Sequence, residues 1–176
     1  MYEYLLYFLV FSFVGWCTEV TFYIFKTGRL VNRGFAKGPV CPIYGIGISL
    51  SYLLLGGVDS FVLLVLLSMA IATAVEFTVG ILFDKLLGIR LWDYREERGN
   101  IGGYVCPRFS LIWGLVSAAV IRLIPRLSLL TELVKRLEIR VISVVLFALI
   151  IIDIKHELEK NLTRKSVEKN IANHII

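Results

Sequence analysis

The chain has 176 residues, 57% of them apolar, with a mean hydropathy of +0.78 and a formal charge of +5. Ordinary soluble domains carry fewer apolar residues, so lipid is the expected solvent. The basic residues lie between apolar runs instead of forming one stripe, which marks them as topology signals and argues against nucleic acid as a partner.

In chain order, the first apolar run covers residues 4–25. No basic segment and no small-residue cleavage pattern mark it as a signal peptide, so it is expected to stay as a spanning helix. Further runs at 40–57, 61–83 and 105–123 each approach the roughly 20 residues that a span needs. A fifth, 141–152, is short, and becomes long enough over about 139–154 if Arg140 and Lys155 snorkel outward. Between the fourth and fifth runs, residues 127–138 read as an interfacial helix. From residue 156 to 176 follows a charged cytoplasmic tail, read as either a second surface helix or a frayed end, in which His156 and His174 read as solvated. The expected fold is all-α: a polytopic membrane protein of about five transmembrane helices forming one domain over residues 1–155.

Lys26, Arg29, Arg33 and Lys37 fall in the first loop, and Lys85, Arg90, Arg95 and Arg98 in the third. The short second loop, GGVDS, has no basic residue. The positive-inside bias therefore predicts a cell-membrane protein with its N-terminus outside and its C-terminus in the cytoplasm.

The loops carry a second pattern. RGFAKGPVCP at 33–42 matches RGNIGGYVCP at 98–107 at six of ten positions, and EVTFYI at 19–24 weakly matches EFTVGI at 76–81. These matches predict a parallel duplication, with helices 1–2 (about 4–57) repeated as helices 3–4 (about 61–123). In transporters, repeats commonly place the substrate path at their interface. Equally, a duplication can be a purely structural pseudo-dimer.

Glu19 and Glu76 occupy matching places in the repeats, about 10–14 Å from the cytoplasmic helix ends. A carboxylate at such depth costs roughly 2.5–3.5 kcal/mol on insertion scales, so it should face the bundle and find a partner. It can share a proton or cation with the other Glu, or it is itself protonated, or bonds Thr18, Thr21, Thr73 or Thr78, and glues helices together.

Arg33, Gly34 and Gly38 in one loop, and Arg98, Gly99 and Gly103 in the other, precede a proline-initiated helix. Free N–H groups, a positive helix end and a guanidinium make a candidate anion cradle. Read structurally, the same residues shape tight loops and anchor to lipid head groups. Arg108 is a candidate counter-ion for Glu19 or Glu76, or it snorkels. Asp93, within LWDY, could orient Arg33 or Arg98. Cys17, Cys41 and Cys106 read as reduced and packed, and no metal site, cofactor motif, Walker sequence or catalytic triad occurs. An enzyme is thus the less favoured class.

FVGWCTEV at 13–20, NRGFAKGPVCPIYGIG at 32–47, LWDY at 91–94 and FSLIWG at 109–114 together resemble the CmpB-like putative ABC-transporter permease family of bacterial membrane proteins, over residues 1 to about 155. The chain departs from that pattern at Pro107-Arg108 and in the charged run 95–98. The resemblance implies a permease, with any ATPase as a separate nucleotide-binding subunit. Five spans are few for a transporter, so a homodimer or another partner is expected beside membrane lipid. The leading expectation is a permease or permease subunit for a small solute, with its site at the cytoplasmic side between the repeats. The alternatives are a non-transporting scaffold or regulatory subunit, and a lipid-head-group binding protein or flippase.

Overall fold

A computed structural model describes residues 2–32, 34–126, 132–133 and 135–174. Among these the chain forms five helices and no strand beyond an isolated bridge between Ile101 and Val105. Helix α1 is Tyr2–Thr27 and α2 is Pro42–Leu55. Helix α3, Phe61–Leu82, runs on through a π-helical turn, Phe83–Leu87. Helix α4, Pro107–Leu123, ends in a 3-10 turn, Ile124–Arg126, and α5 is Leu137–His174.

Local chemistry sets the helix ends. Pro42 and Pro107 stand in the first turns of α2 and α4, where a missing N–H costs nothing. The Ser60 hydroxyl accepts the N–H of Leu63 at the start of α3, a side-chain cap. The π-helical turn stops at Gly88, whose φ of +72° suits glycine alone and whose N–H returns to the Asp84 carbonyl.

Three of these helices are long and apolar enough to cross a membrane: α1, α3 with its π-helical turn, and α4 with its 3-10 turn. The packing has the polarity of a membrane bundle. Phe13, Phe22, Phe25, Leu66, Leu146 and Ile152 point outward, while Ser12, Ser51 and Ser68 are fully buried. Lipid tails are as apolar as leucine, so helices gain by close backbone approach through small residues instead of by hiding large ones. Gly45 shows this: a Cβ there would run into the Phe8 carbonyl and the Ser12 hydroxyl.

Helix α1 packs on α2 and α3 on α4, with α2 also touching α3 and α4. Tyr7, Ile48 and Ile124 form one apolar cluster, and Leu55, Leu64, Val65, Ala118 and Ile121 the other. Helix α5 runs parallel to α1: Arg140 lies over the Tyr2 ring and Phe147 meets Phe8 edge-on.

Two expectations change. The second apolar run, 40–57, was expected to span, but its helix has only 14 residues. The Cys41 N–H bonds the carbonyl of Ser12, fifteen residues before α1 ends at Thr27, or about 22 Å along the axis. The first loop thus folds back beside α1 and takes up half the depth of the bundle. The tail expected from residue 156 is instead continuous with the fifth helix as far as His174. No Gly or Pro interrupts residues 137–174, so nothing in the backbone stops propagation. The interfacial helix expected over 127–138 falls largely outside the described residues, as does Arg33.

Candidate functional site

Each intramembrane glutamate meets a tyrosine. The Tyr44 hydroxyl donates to Glu19 Oε1 at 2.5 Å, from the first turn of α2. The Tyr94 hydroxyl donates to Glu76 Oε1 at 2.8 Å, from the loop before α4. Glu19 is half-buried and Glu76 is 7% exposed. Neither uses the threonines beside it as the glue reading required. Thr18 and Thr73 return their hydroxyls to the carbonyls of Val14 and Met69 in their own helices.

Aromatic rings join the two pairs. Tyr44 stands edge-on to Trp113 of α4 at 5.3 Å between centroids, and Tyr94 stacks on Phe109 at 4.7 Å. Gly15 makes room for the first contact, since a Cβ there would strike the Tyr44 ring. No hydrogen bond links the two carboxylates. They flank an aromatic centre instead of sharing a proton directly.

Tyr94 is held by a compact loop. Its N–H donates to the Gly103 carbonyl at 2.9 Å, and Trp92 Nε1 donates to the Tyr104 carbonyl at 2.7 Å. Arg90 donates to Asp84 and to the Gly102 carbonyl, both at 3.1 Å, and lies over the Tyr104 ring. Tyr104 donates to Asp84 at 2.6 Å, and that bond raises its phenol above the ordinary tyrosine range. Burial, followed by the charge of Glu76 and the hydrogen bond to it, pushes Tyr94 up as well, so it stays a donor at any physiological pH.

The candidate anion cradle is partly occupied in both loops. In the first, Gly38 N–H donates to Asp153 Oδ2 of α5 at 2.9 Å, and Gly34 N–H to Asn32 Oδ1 at 3.0 Å. Asn32 also accepts from Trp16 Nε1 at 2.7 Å and bonds the carbonyls of Ala36 and Lys37. In the second loop, Gly103 N–H goes to Asn100 Oδ1 at 3.0 Å, while Gly99, at φ +71°, sits in an exposed turn. The N–H groups of Gly34, Gly38 and Gly103 are thus engaged by the chain's own side chains.

The remaining basic candidates fall elsewhere. Arg108 pairs with Glu97 at 3.2 Å and is 69% exposed, so it is not the counter-ion of Glu19 or Glu76. Asp93 pairs with Arg95 and, at 3.7 Å, with Arg90, and not with Arg98. The Arg95 hydrogen bonds hold its carboxyl below the usual range. Arg98 is exposed, with no hydrogen bond or ion pair among the described residues. The reason is local: Arg95 and Glu97 are nearer in sequence and satisfy Asp93 and Arg108 first.

Sequence reasoning passed over Tyr44, Tyr94 and Trp113 as partners of the acids, and missed the role of α5. Besides Asp153, Glu157 of α5 pairs with Lys37 at 3.4 Å and Lys160 at 3.5 Å. About two turns further, Lys165 Nζ donates to the carbonyls of Lys85 and Leu86 at 3.1 and 3.0 Å. Helix α5 therefore ties both loops at one end of the bundle. The signal was Asp153 and Glu157 at i,i+4 on one helical face.

The family model described as "Putative ABC-transporter type IV" matches residues 6–157. No curated protein and no solved structure matches the chain.

Proposed function

Since the chain belongs to the putative ABC-transporter type IV family, we propose that it is the membrane subunit of a small-solute transporter whose path runs past the Glu19–Tyr44 and Glu76–Tyr94 pairs. The observation that carries this reading is the position of those pairs. They set two carboxylates and four aromatic rings, Tyr44, Tyr94, Phe109 and Trp113, between helix pairs that are otherwise lined with apolar and small residues. An acid held inside an apolar bundle is expensive and is retained where something polar must pass or bind.

The pairs lie toward the end that carries both basic loops and the distal half of α5. Arg122 reaches the Asp59 carbonyl at the opposite end. We place the loop end in the cytoplasm, by the positive-inside bias, and the N-terminus outside. The weak repeat in sequence is read as a duplication of the helix pair, in which Phe109 aligns with Tyr44 and Tyr94 supplies from the longer loop the phenol that Phe109 lacks. A separate nucleotide-binding subunit would dock on the loop end, and a second copy of the chain would complete the path. Asp153 at Gly38 argues against the lipid-head-group reading, because a donor it needs is in use.

The test is a thermal-shift screen of the purified protein against cations, amines, anionic metabolites and phospholipids, in the wild type and in Glu19→Gln. Ligand binding raises apparent stability by mass action. A stabilising small solute whose effect is lost in Glu19→Gln supports the reading. Stabilisation by no solute, together with co-purification of an active transporter complex unaffected by Glu19→Gln, assigns the chain a scaffolding or regulatory part in that complex.

A further inference from the structure

We propose that Glu76 is an exchangeable proton-binding site covered by Tyr94. Glu76 is 7% exposed, and of its two oxygens only Oε1 has a hydrogen bond, from Tyr94 at 2.8 Å. Oε2 is sealed from solvent and has no partner among the described residues. A buried carboxylate in that state lacks the bonds it had in water.

Among the described residues no positive charge compensates it. Beside Glu76 stand the Tyr94 phenol from the loop and the Trp113 indole of α4, with Cys106 and Tyr44 next to Tyr94 and Glu19 of α1 behind Tyr44. None of them is a cation. Arg108 turns to Glu97, and Arg90 to Asp84 and Asp93.

A metal ion does not suit the place, since no group of three ligating side chains occurs among the described residues. An organic cation needs volume. Two surface grooves, of about 450 Å³ along α1 and about 320 Å³ between α2 and α3, are lined by other residues and do not include Glu76. A proton needs neither ligands nor space. Bound at Oε2, it removes the charge and leaves Oε1 as an acceptor for Tyr94.

Exchange has an evident route. Tyr94 belongs to the loop and not to α3, and its phenol stacks on Phe109. When the loop lifts, the Tyr94 hydroxyl leaves Oε1 and water reaches the carboxyl. The O–H bond at Oε2 then breaks, its electron pair stays on the carboxylate, and the proton passes to water as hydronium. Reclosure over the charged form is disfavoured until a proton returns. This inference does not depend on the transport reading, because it concerns the resting protein without solute.

The experiment is infrared difference spectroscopy of the full chain in lipid nanodiscs, titrated with pH in H2O and in D2O. At neutral pH the wild type is expected to show the carbonyl stretch of a neutral carboxylic acid, shifted down in D2O. Glu76→Gln should lose that band, keep its thermal midpoint because the amide has the shape of the neutral acid, and leave any solute stabilisation to be judged separately. Glu19→Gln should retain the band. Tyr94→Phe, which removes the donor that favours the ionised form, should hold the band to a proton concentration at least about threefold lower. This variant and the wild-type titration carry the test if Glu76→Gln does not fold. Absence of the band at neutral pH, its persistence in a folded Glu76→Gln, or its loss on adding sodium, potassium or methylammonium at fixed pH would overturn the proposal.

Discussion

Single residues in the third loop set where Tyr94 stands. Gly103 has a φ of +75°, and a Cβ there would lie 2.6 Å from Arg95 Cγ and 2.9 Å from Asp93 Oδ1. Gly103→Ala should therefore cost roughly 1–3 kcal/mol through a disfavoured backbone region and lower the thermal midpoint in detergent. Gly57→Ala, with open space around it, should leave the midpoint unchanged. The Asp93–Arg95 pair adds a pH dependence. The Asp93 carboxyl is held low in the folded state by Arg95, so its contribution is fully present above the unfolded value of about 3.9 and lost as pH falls through the folded value. In Asp93→Asn that part of the acid sensitivity should vanish from thermal scans taken at decreasing pH. At this scale the sequence was only half legible. The depth of Glu19 and Glu76 in apolar runs was enough to single them out, but their tyrosine partners lie 25 and 18 residues away, and no local spacing announces such a contact. The glycine pattern was visible, and its occupants were not: Gly38 faces Asp153, 115 residues further on.

Among the elements, α5 differs most from its sequence reading. Its apolar half lies along α1, and its charged half continues without a break to hold both loops. Burial works to raise the Glu157 carboxyl, but the hydrogen bond from Lys37 and the charges of Lys160 and Lys37 outweigh it and keep the group low. Lys165→Ala removes the donor to the Lys85 and Leu86 carbonyls. We expect it to raise hydrogen exchange in residues 158–167 and around residues 83–88 about tenfold, while exchange in α2 stays unchanged. Equal protection in the variant would show that the contact does not hold the helix in place. Helices α1, α3 and α4, each long and apolar enough to cross a membrane, were legible because an uninterrupted apolar run of sufficient length favours one helix. The start of α2 was not, because Val40 and Cys41 are apolar whether they lie in a helix or in a loop packed against one, and only the bond from Cys41 to Ser12 separates the cases.

For the whole molecule, composition alone placed the chain in a membrane, and the exposed aromatic and aliphatic side chains around buried serines agree with that placement. Contacts from α5 put the first and third loops at one end, which the sequence inferred only through charge. With the loop end in the cytoplasm, a cysteine placed at Gly57 should react with an impermeant maleimide added to intact cells, and one placed at Arg98 should react only after the cells are opened. The reverse pattern would invert the orientation proposed above. The shortness of α2 has a consequence for the surrounding lipid. Fourteen helical residues rise only about 21 Å, against a hydrocarbon thickness near 30 Å, while Ile46, Leu53 and Leu54 are exposed on its surface. Acyl chains beside α2 therefore meet helix over only part of their length and the folded-back first loop over the rest, a surface of irregular backbone that those beside α3 do not see.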